Sequence, residues 1–407
     1  MLAASRRSFL SGLIGAVALP AAAGDGDTFW EEVRRQFAFP EEKVPMNAAN
    51  LCPSPTAVGE RVAEVTENID RDCSFQNRAR FEALLEPTRE AIAAELGVSA
   101  DEIALVRNTS EANNTVNNGL HLESGDEIVL WEQNHPTNNV AWEVRAARFG
   151  VKVRKVATPA QPGGVEDLLR PFVDAFGPKT KVLALTHVSN VSGVRLPVKE
   201  LCAAARGRQI YTHVDGAQSW GALDVDLRDI ACDSYAASAH KWYVGPKEVG
   251  LLYVRADRID DVWPNVVAPG WGDGPETTLK GARKFESLGQ RDDGALMGLG
   301  VAAEFHGRLG NQRRERRVLA LARQLKEGLA GIGARLVTPA AEELSGGVCI
   351  LEIPPANRQA VLDRMYTEYG IAGSTSGGFR LCPHIYNTPE HVRRAVEGLD
   401  KLRELWA

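Results

Sequence analysis

Residues 212–250 read THVDGAQSWGALDVDLRDIACDSYAASAHKWYVGPKEVG. The run Gln209 to Asp215 has the composition of a buried strand, and it stops on a carboxylate followed at once by Gly216. A second short strand, Ser234 to Ala237, leads into Ser238-Ala239-His240-Lys241-Trp242. Lysine is ordinarily a solvated surface residue, but Lys241 stands among small, polar and aromatic neighbours. An amine held still and partly deprotonated is a nucleophile toward a carbonyl carbon. Asp215, at its strand end, is expected either to cap the turn that follows or to pair with a cation.

On both sides of this stretch, helical and strand-like runs alternate. Phe81 to Leu96 reads as one amphipathic helix ended by Gly97. Then come strand Glu127 to Trp131, helix Thr137 to Phe149, strand Val151 to Val156, helix Val165 to Phe176, strand Lys181 to Thr186 and helix Pro197 to Arg206. Gly250 to Val254 adds a further strand. This alternation predicts an α/β domain on a large, mostly parallel sheet covered on both faces. Functional residues in such sheets collect beyond the carboxyl ends of strands, where His135, Asn190 and Asp215 fall. Val262 to Asp293, rich in Gly, Pro and Trp, reads as a long loop region. The basic helix NQRRERRVLALARQLKEGLAG opens at Asn311. Strand Gly347 to Ile353, helix Arg358 to Tyr369, strand Phe379 to Cys382 and helix Pro389 to Trp406 follow, predicting a smaller α+β domain.

The 407 residues suffice for both domains, and 44% hydrophobic with 25% charged residues is ordinary for a globular chain. A net charge of −6 argues against a nucleic-acid partner. The cysteines (52, 73, 202, 232, 349 and 382) show neither a CxxC pair nor zinc-ligand spacing, so no metal is expected and most read as buried free thiols. Neither dinucleotide-binding nor P-loop glycine patterns occur. The N-terminus differs: Arg6 and Arg7 precede a weakly apolar run, Gly12 to Leu19, and the small residues Ala21 to Ala23. This looks like a twin-arginine export signal cleaved after about Ala23. The apolar run is too short for a stable membrane anchor. A periplasmic or secreted location is expected, with the twin-arginine machinery as a partner.

Further residues carry chemistry. Arg107-Asn108-Thr109-Ser110-Glu111 opens a helical run, where a hydroxyl caps and free N–H groups accept an anion. His135 sits just past a strand, where its ring can stack on a flat ligand or serve structure alone. Taken in order, TSEA, the strand-end His135, SNVSG (189–193), HVDGAQ, SAHKW and the late GFRLCPHIYNT (378–388) resemble the class V aminotransferase family of pyridoxal-phosphate enzymes, fold type I. Its branches include cysteine desulfurases, kynureninases and isopenicillin N epimerase, and the resemblance spans roughly residues 45 to 405.

The resemblance implies a large sheet domain of seven-stranded type over residues 61–300 and a small domain over 301–407. Residues 25–60 would pack on the small domain, after a signal over 1–24. The cofactor implied is pyridoxal 5'-phosphate. Lys241 matches the Schiff-base lysine and proton shuttle, Asp215 the partner of the pyridine nitrogen, and His135 the stacking residue. Asn190 and Gln218 match contacts near the ring oxygen, and Thr109, Ser110, Ser238 and His240 the phosphate contacts. Arg380 matches the clamp for the substrate carboxylate, bidentate by virtue of its planar guanidinium. Asn50 matches an N-terminal loop over the substrate. Family members are homodimers, so Gly270, Trp271 and Gln290 are candidates for contacts across the interface. Gln290 stands where relatives often carry Thr.

Pyridoxal phosphate supplies the electron sink, and the protein selects the bond that breaks. A desulfurase needs a mobile cysteine shortly before the arginine, yet Ala372-Gly373-Ser374-Thr375-Ser376-Gly377-Gly378-Phe379 contains none. The expected reaction is at the Cα amine of an amino acid or peptide-linked amino acid, by transamination or epimerisation. A C–S or other β-lyase is the alternative, and a non-catalytic metabolite-binding descendant the second.

Overall fold

A computed structural model describes residues 26–269 and 279–407. Its strands are β1 (Val44–Pro45), β2 (Ile103–Val106), β3 (Glu127–Trp131), β4 (Lys152–Val156), β5 (Thr180–Thr186), β6 (Tyr211–Asp215), β7 (Ser234–Ser238), β8 (Gly250–Val254), β9 (Cys349–Leu351), β10 (Ile371–Ala372) and β11 (Phe379–Leu381). Strands β2 to β8 form one seven-stranded sheet in the order β2-β8-β7-β6-β5-β3-β4. β8 pairs antiparallel with β2 and β7, and the other pairings are parallel. Every position of β6, β7 and β8 is buried, as strands covered on both faces require. The edge strand β4 keeps the polar sequence KVRKV and stays largely exposed.

The expected helix Phe81 to Leu96 is two helices, Phe75–Glu82 and Leu85–Glu95. Pro87 explains the break: it offers no N–H to the carbonyl of Ala83, and its ring crowds that carbonyl. A short 3-10 turn, Ala256–Asp261, precedes the region read as loop, and another, Gly281–Glu286, lies within it. A helix not foreseen, Asp293–Leu309, packs against Thr56–Arg71 and Leu85–Glu95. It is apolar on nearly every face and almost wholly buried, so it lacks the one-sided stripe that marks a surface helix.

Beyond Asn311, helices Asn311–Gly331, Arg358–Tyr369 and Pro389–Lys401 surround a separate apolar cluster that includes Leu325, Leu351, Val361, Phe379 and Leu399. β9 and β11 pair antiparallel there. Val44 and Met46, from the start of the described chain, lie in the same cluster, and β1 pairs with β10 in parallel. The cysteines are free, five of them buried and Cys73 exposed. Among the described residues, no helix is long and apolar enough to cross a membrane.

Candidate active site

The floor of the site is a row of strand ends. Thr186 lies opposite Asp215, and Asp215 opposite Ala236, so β5 and β6 terminate side by side while β7 runs on beyond them to Ser238. Asp215 is buried. Its Oδ1 accepts the Ala217 N–H at 3.0 Å, forming the turn that a strand-end aspartate caps. Its Oδ2 accepts from Asn113 Nδ2 at 2.8 Å. An ionised carboxylate has about four acceptor positions, so capacity remains for a cationic nitrogen. Gly216 must follow, because a β-carbon there would sit inside the Tyr235 ring.

The helix Thr109–Gly119 begins beside this floor. Its cap is Asn108, whose side chain accepts from the Glu111 N–H at 3.0 Å; the hydroxyls of Thr109 and Ser110 are not used for capping. Asn108 has the extended backbone an N-cap needs, whereas Thr109 is already helical. The Thr109 N–H donates to Ser238 Oγ at 2.8 Å, and the two hydroxyls are 2.7 Å apart. Ser110 Oγ donates to Thr137 Oγ1 at 3.4 Å, and that oxygen lies 2.8 Å from His135 Nδ1. His135 also caps the helix Pro136–Phe149 by accepting the Thr137 N–H at 3.3 Å. Thr109, Ser110, Ser238 and His135 are thus drawn together at the positive end of one helix.

Lys241 is half-buried in the turn after β7. Burial holds its ammonium below the usual lysine range; Asp215 opposes that shift and Arg380 adds to it. No hydrogen bond or ion pair engages its Nζ among the described residues. The turn is strained: Val244, a β-branched residue, has φ of 45°, while its N–H donates to the Lys241 carbonyl at 3.0 Å. His135 feels the same neighbourhood. Burial first, then Lys241 and Arg380, disfavour its protonation, and Asp215 favours it. His240 is pushed down to about 4 by burial, Lys241 and Lys247.

Arg380, buried on β11, donates from Nη1 to the Asn190 carbonyl and from Nη2 to Asn47 Oδ1, each at 2.9 Å. Its Nε is buried without a partner. Asn190 therefore reaches the site through its carbonyl. Asn50 is exposed, and its N–H turns back to the Asn47 carbonyl at 2.9 Å. The N-terminal loop meets the arginine through Asn47, which stands before the turn, and not through Asn50. Gln218 is spanned: its Nε2 donates to the Ala49 carbonyl at 2.9 Å and its Oε1 accepts from Trp242 Nε1 at 2.7 Å. Gln290 is exposed and donates to the Arg291 carbonyl at 2.9 Å, while Gly270 and Trp271 lie outside the described residues.

Asn113 and Asn47 were not picked out from sequence. Asn113 had a signal, since it lies one helical turn beyond Thr109 on the same buried face. Among the described residues, no group of side chains is arranged to hold a metal ion.

A large parallel sheet whose strand ends carry a buried aspartate, a lysine turn and a helix start defines the class. The aminotransferase class-V family model matches residues 56–396, and the chain belongs to that family. It is similar to isopenicillin N epimerase of Streptomyces clavuligerus, 31% identical over 392 residues, covering 92% of this chain and 98% of the relative. A cysteine desulfurase of Serratia proteamaculans is 32% identical over 420 residues, covering 91% of this chain and 100% of the relative. Among solved structures, a variant of C-DES with glycine covalently linked to its pyridoxal-phosphate cofactor superposes with a TM-score of 0.82. It is 24% identical and covers 90% of this chain and 98% of its own. The fold is that of the fold type I pyridoxal-phosphate enzymes.

Proposed function

We propose that this chain is an exported pyridoxal-phosphate enzyme that moves a proton at the α-carbon of an amino acid or peptide-linked amino acid, by epimerisation or transamination. The cofactor and enzyme class follow from the family. The observation that carries the finer reading is that Lys241, Asp215, His135 and Arg380 share one electrostatic neighbourhood in which the lysine makes no hydrogen bond among the described residues and burial disfavours its charged form.

The residues fit the cofactor. Asp215 has acceptor capacity for a protonated ring nitrogen, and the helix start at Thr109 and Ser110, with Ser238, supplies donors for a phosphate. Lys241 supplies the amine, His135 a ring at the rim, and Arg380 a guanidinium for a carboxylate. Asn190, Gln218 and His240 complete the surround. When bound, the cofactor supplies an electron sink conjugated to the substrate α-carbon. Lys241, kept below its ordinary range, takes and returns the proton at that carbon. Asn47 fixes the arginine that orients the carboxylate.

Desulfuration has less support. It needs a thiolate near the substrate, and burial raises the Cys382 thiol while Cys52 is raised further. The loop before Arg380 is also tightly seated: Gly377, at φ of 73°, leaves no room for a β-carbon against the Val191 carbonyl, and Ser374 and Arg380 exchange backbone hydrogen bonds at 3.0 and 2.7 Å.

The test is incubation of the cofactor-loaded enzyme with amino acids and short peptides in heavy water. Epimerisation is expected to leave deuterium at the α-carbon of the inverted product; transamination is expected to give an oxo acid, whose α-carbon carries no hydrogen, with the amino group left on the cofactor. Release of sulfide from cysteine without α-exchange overturns the reading in favour of the desulfurase branch. We also infer a homodimer, supported by the exposed Trp263, Val266 and Val267 beside the helix start; sedimentation as a monomer at working concentration refutes it. Export rests on Arg6 and Arg7. Replacing both by Lys is expected to trap the protein in the cytoplasm, and unchanged fractionation removes that part of the proposal.

A further inference from the structure

Asp215 stands at the end of a buried polar chain that crosses the sheet. Its Oδ2 accepts from Asn113 Nδ2; Asn113 Oδ1 lies 2.8 Å from His213 Nε2; His213 Nδ1 lies 2.8 Å from Ser234 Oγ. Asn113 is on the helix whose first turn holds Thr109, and His213 and Ser234 are register partners on β6 and β7. All four side chains are at most 2% exposed, so no bulk water substitutes for a missing partner.

The proton positions follow from the chemistry of the groups. A carboxylate only accepts, so Asn113 must turn its NH2 toward Asp215. That leaves its carbonyl oxygen facing His213, so His213 Nε2 carries a proton. His213 Nδ1 is then bare and accepts the Ser234 hydroxyl proton. Every donor in the chain points toward Asp215. We propose that Asn113, His213 and Ser234 are positioning residues that hold Asp215 ionised and fixed in direction, with the tautomer of His213 setting the orientation of the whole chain. This rests on the role given above to Asp215. Burial supports a neutral ring by pushing His213 down to about 3. A buried amide and imidazole satisfying each other would explain their mutual contact alone, but the carboxylate at one end gives the whole chain a single direction.

The first test needs no cofactor. Nitrogen-15 spectra of labelled histidine in the cofactor-free chain are expected to show His213 neutral, protonated at Nε2 and bare at Nδ1, unchanged from about pH 5 to 8. The opposite tautomer, or a charged ring, overturns the chain. The second uses loaded enzyme. Asn113→Ala and His213→Phe are expected to lower kcat by about 10- to 100-fold with little change in KM, the scale of one charge-assisted hydrogen bond. They are also expected to shift the pH midpoint of the bound cofactor's visible absorption. His213→Gln, whose amide still donates to Asn113, recovers most of both. If His213→Phe fails to fold, Asn113→Ala and Ser234→Ala carry the comparison. Asn113→Ala behaving as wild type beside a disabled Asp215→Asn overturns the chain alone. An Asp215→Asn variant with wild-type turnover and cofactor spectrum removes the role of Asp215 itself.

Discussion

The two ends of the site are built from different materials. Asp215 and Ser238 sit on central strands of the seven-stranded sheet, buried on both faces and paired along their whole length. Arg380 sits on a strand of three residues, held by one carbonyl and one amide from distant segments. The sheet end grips by burial and register, which tolerate little adjustment. The arginine end grips through a few directed bonds between short segments, which can be altered without disturbing the core. A family that keeps one cofactor and varies its substrates gains from this division.

Perturbations at the two ends should separate accordingly. Lys241→Ala, at the junction, is expected to cost about 10³-fold or more in turnover and to abolish the visible absorption of lysine-bound cofactor. A spectrum like wild type places the reactive amine elsewhere. Asp215→Asn is expected to cost about 10²- to 10³-fold in kcat and to weaken cofactor retention on dialysis. Equal loss of affinity for substrate alone would erase the contrast between the ends. Arg380→Leu is expected to raise KM for a carboxylate-bearing substrate about 10- to 100-fold while the cofactor loads normally. Asn47→Ala is expected to act in the same direction but more weakly, since it removes one support of the guanidinium. The smallest effect concerns coupling between the ends. In the cofactor-free chain, reaction of Lys241 with an amine reagent is expected to titrate with a midpoint below the ordinary lysine range. Arg380 disfavours the ammonium, so Arg380→Leu should move that midpoint upward; a downward shift breaks the assignment.

The central strands were readable because short apolar runs recurred at intervals set by intervening helices. Asp215 and Lys241 were readable for a related reason: each is a charged residue embedded in small and buried neighbours. Asn47 carried no signal in the sequence, because position in a loop gives no direction, and only the fold shows that its amide turns toward Arg380. Pro87 marked a helix break that an amphipathic pattern concealed. Asn113, His213 and Ser234 could not be linked from sequence, because their partners lie on different elements and a buried hydrogen bond leaves no periodicity. Asn108 took the capping role from Thr109 for local reasons that the motif itself hid.

β1 pairs with β10, and Met46 accepts the Cys382 N–H at 2.7 Å. A segment from early in the chain therefore waits, during synthesis, for one from near its end. Until residue 382 has left the ribosome, Asn47 has no arginine to support and the substrate side of the catalyst does not exist. Such long-range closure slows maturation, and it means that a truncated or threaded chain is inert, with activity switched on only in a finished molecule.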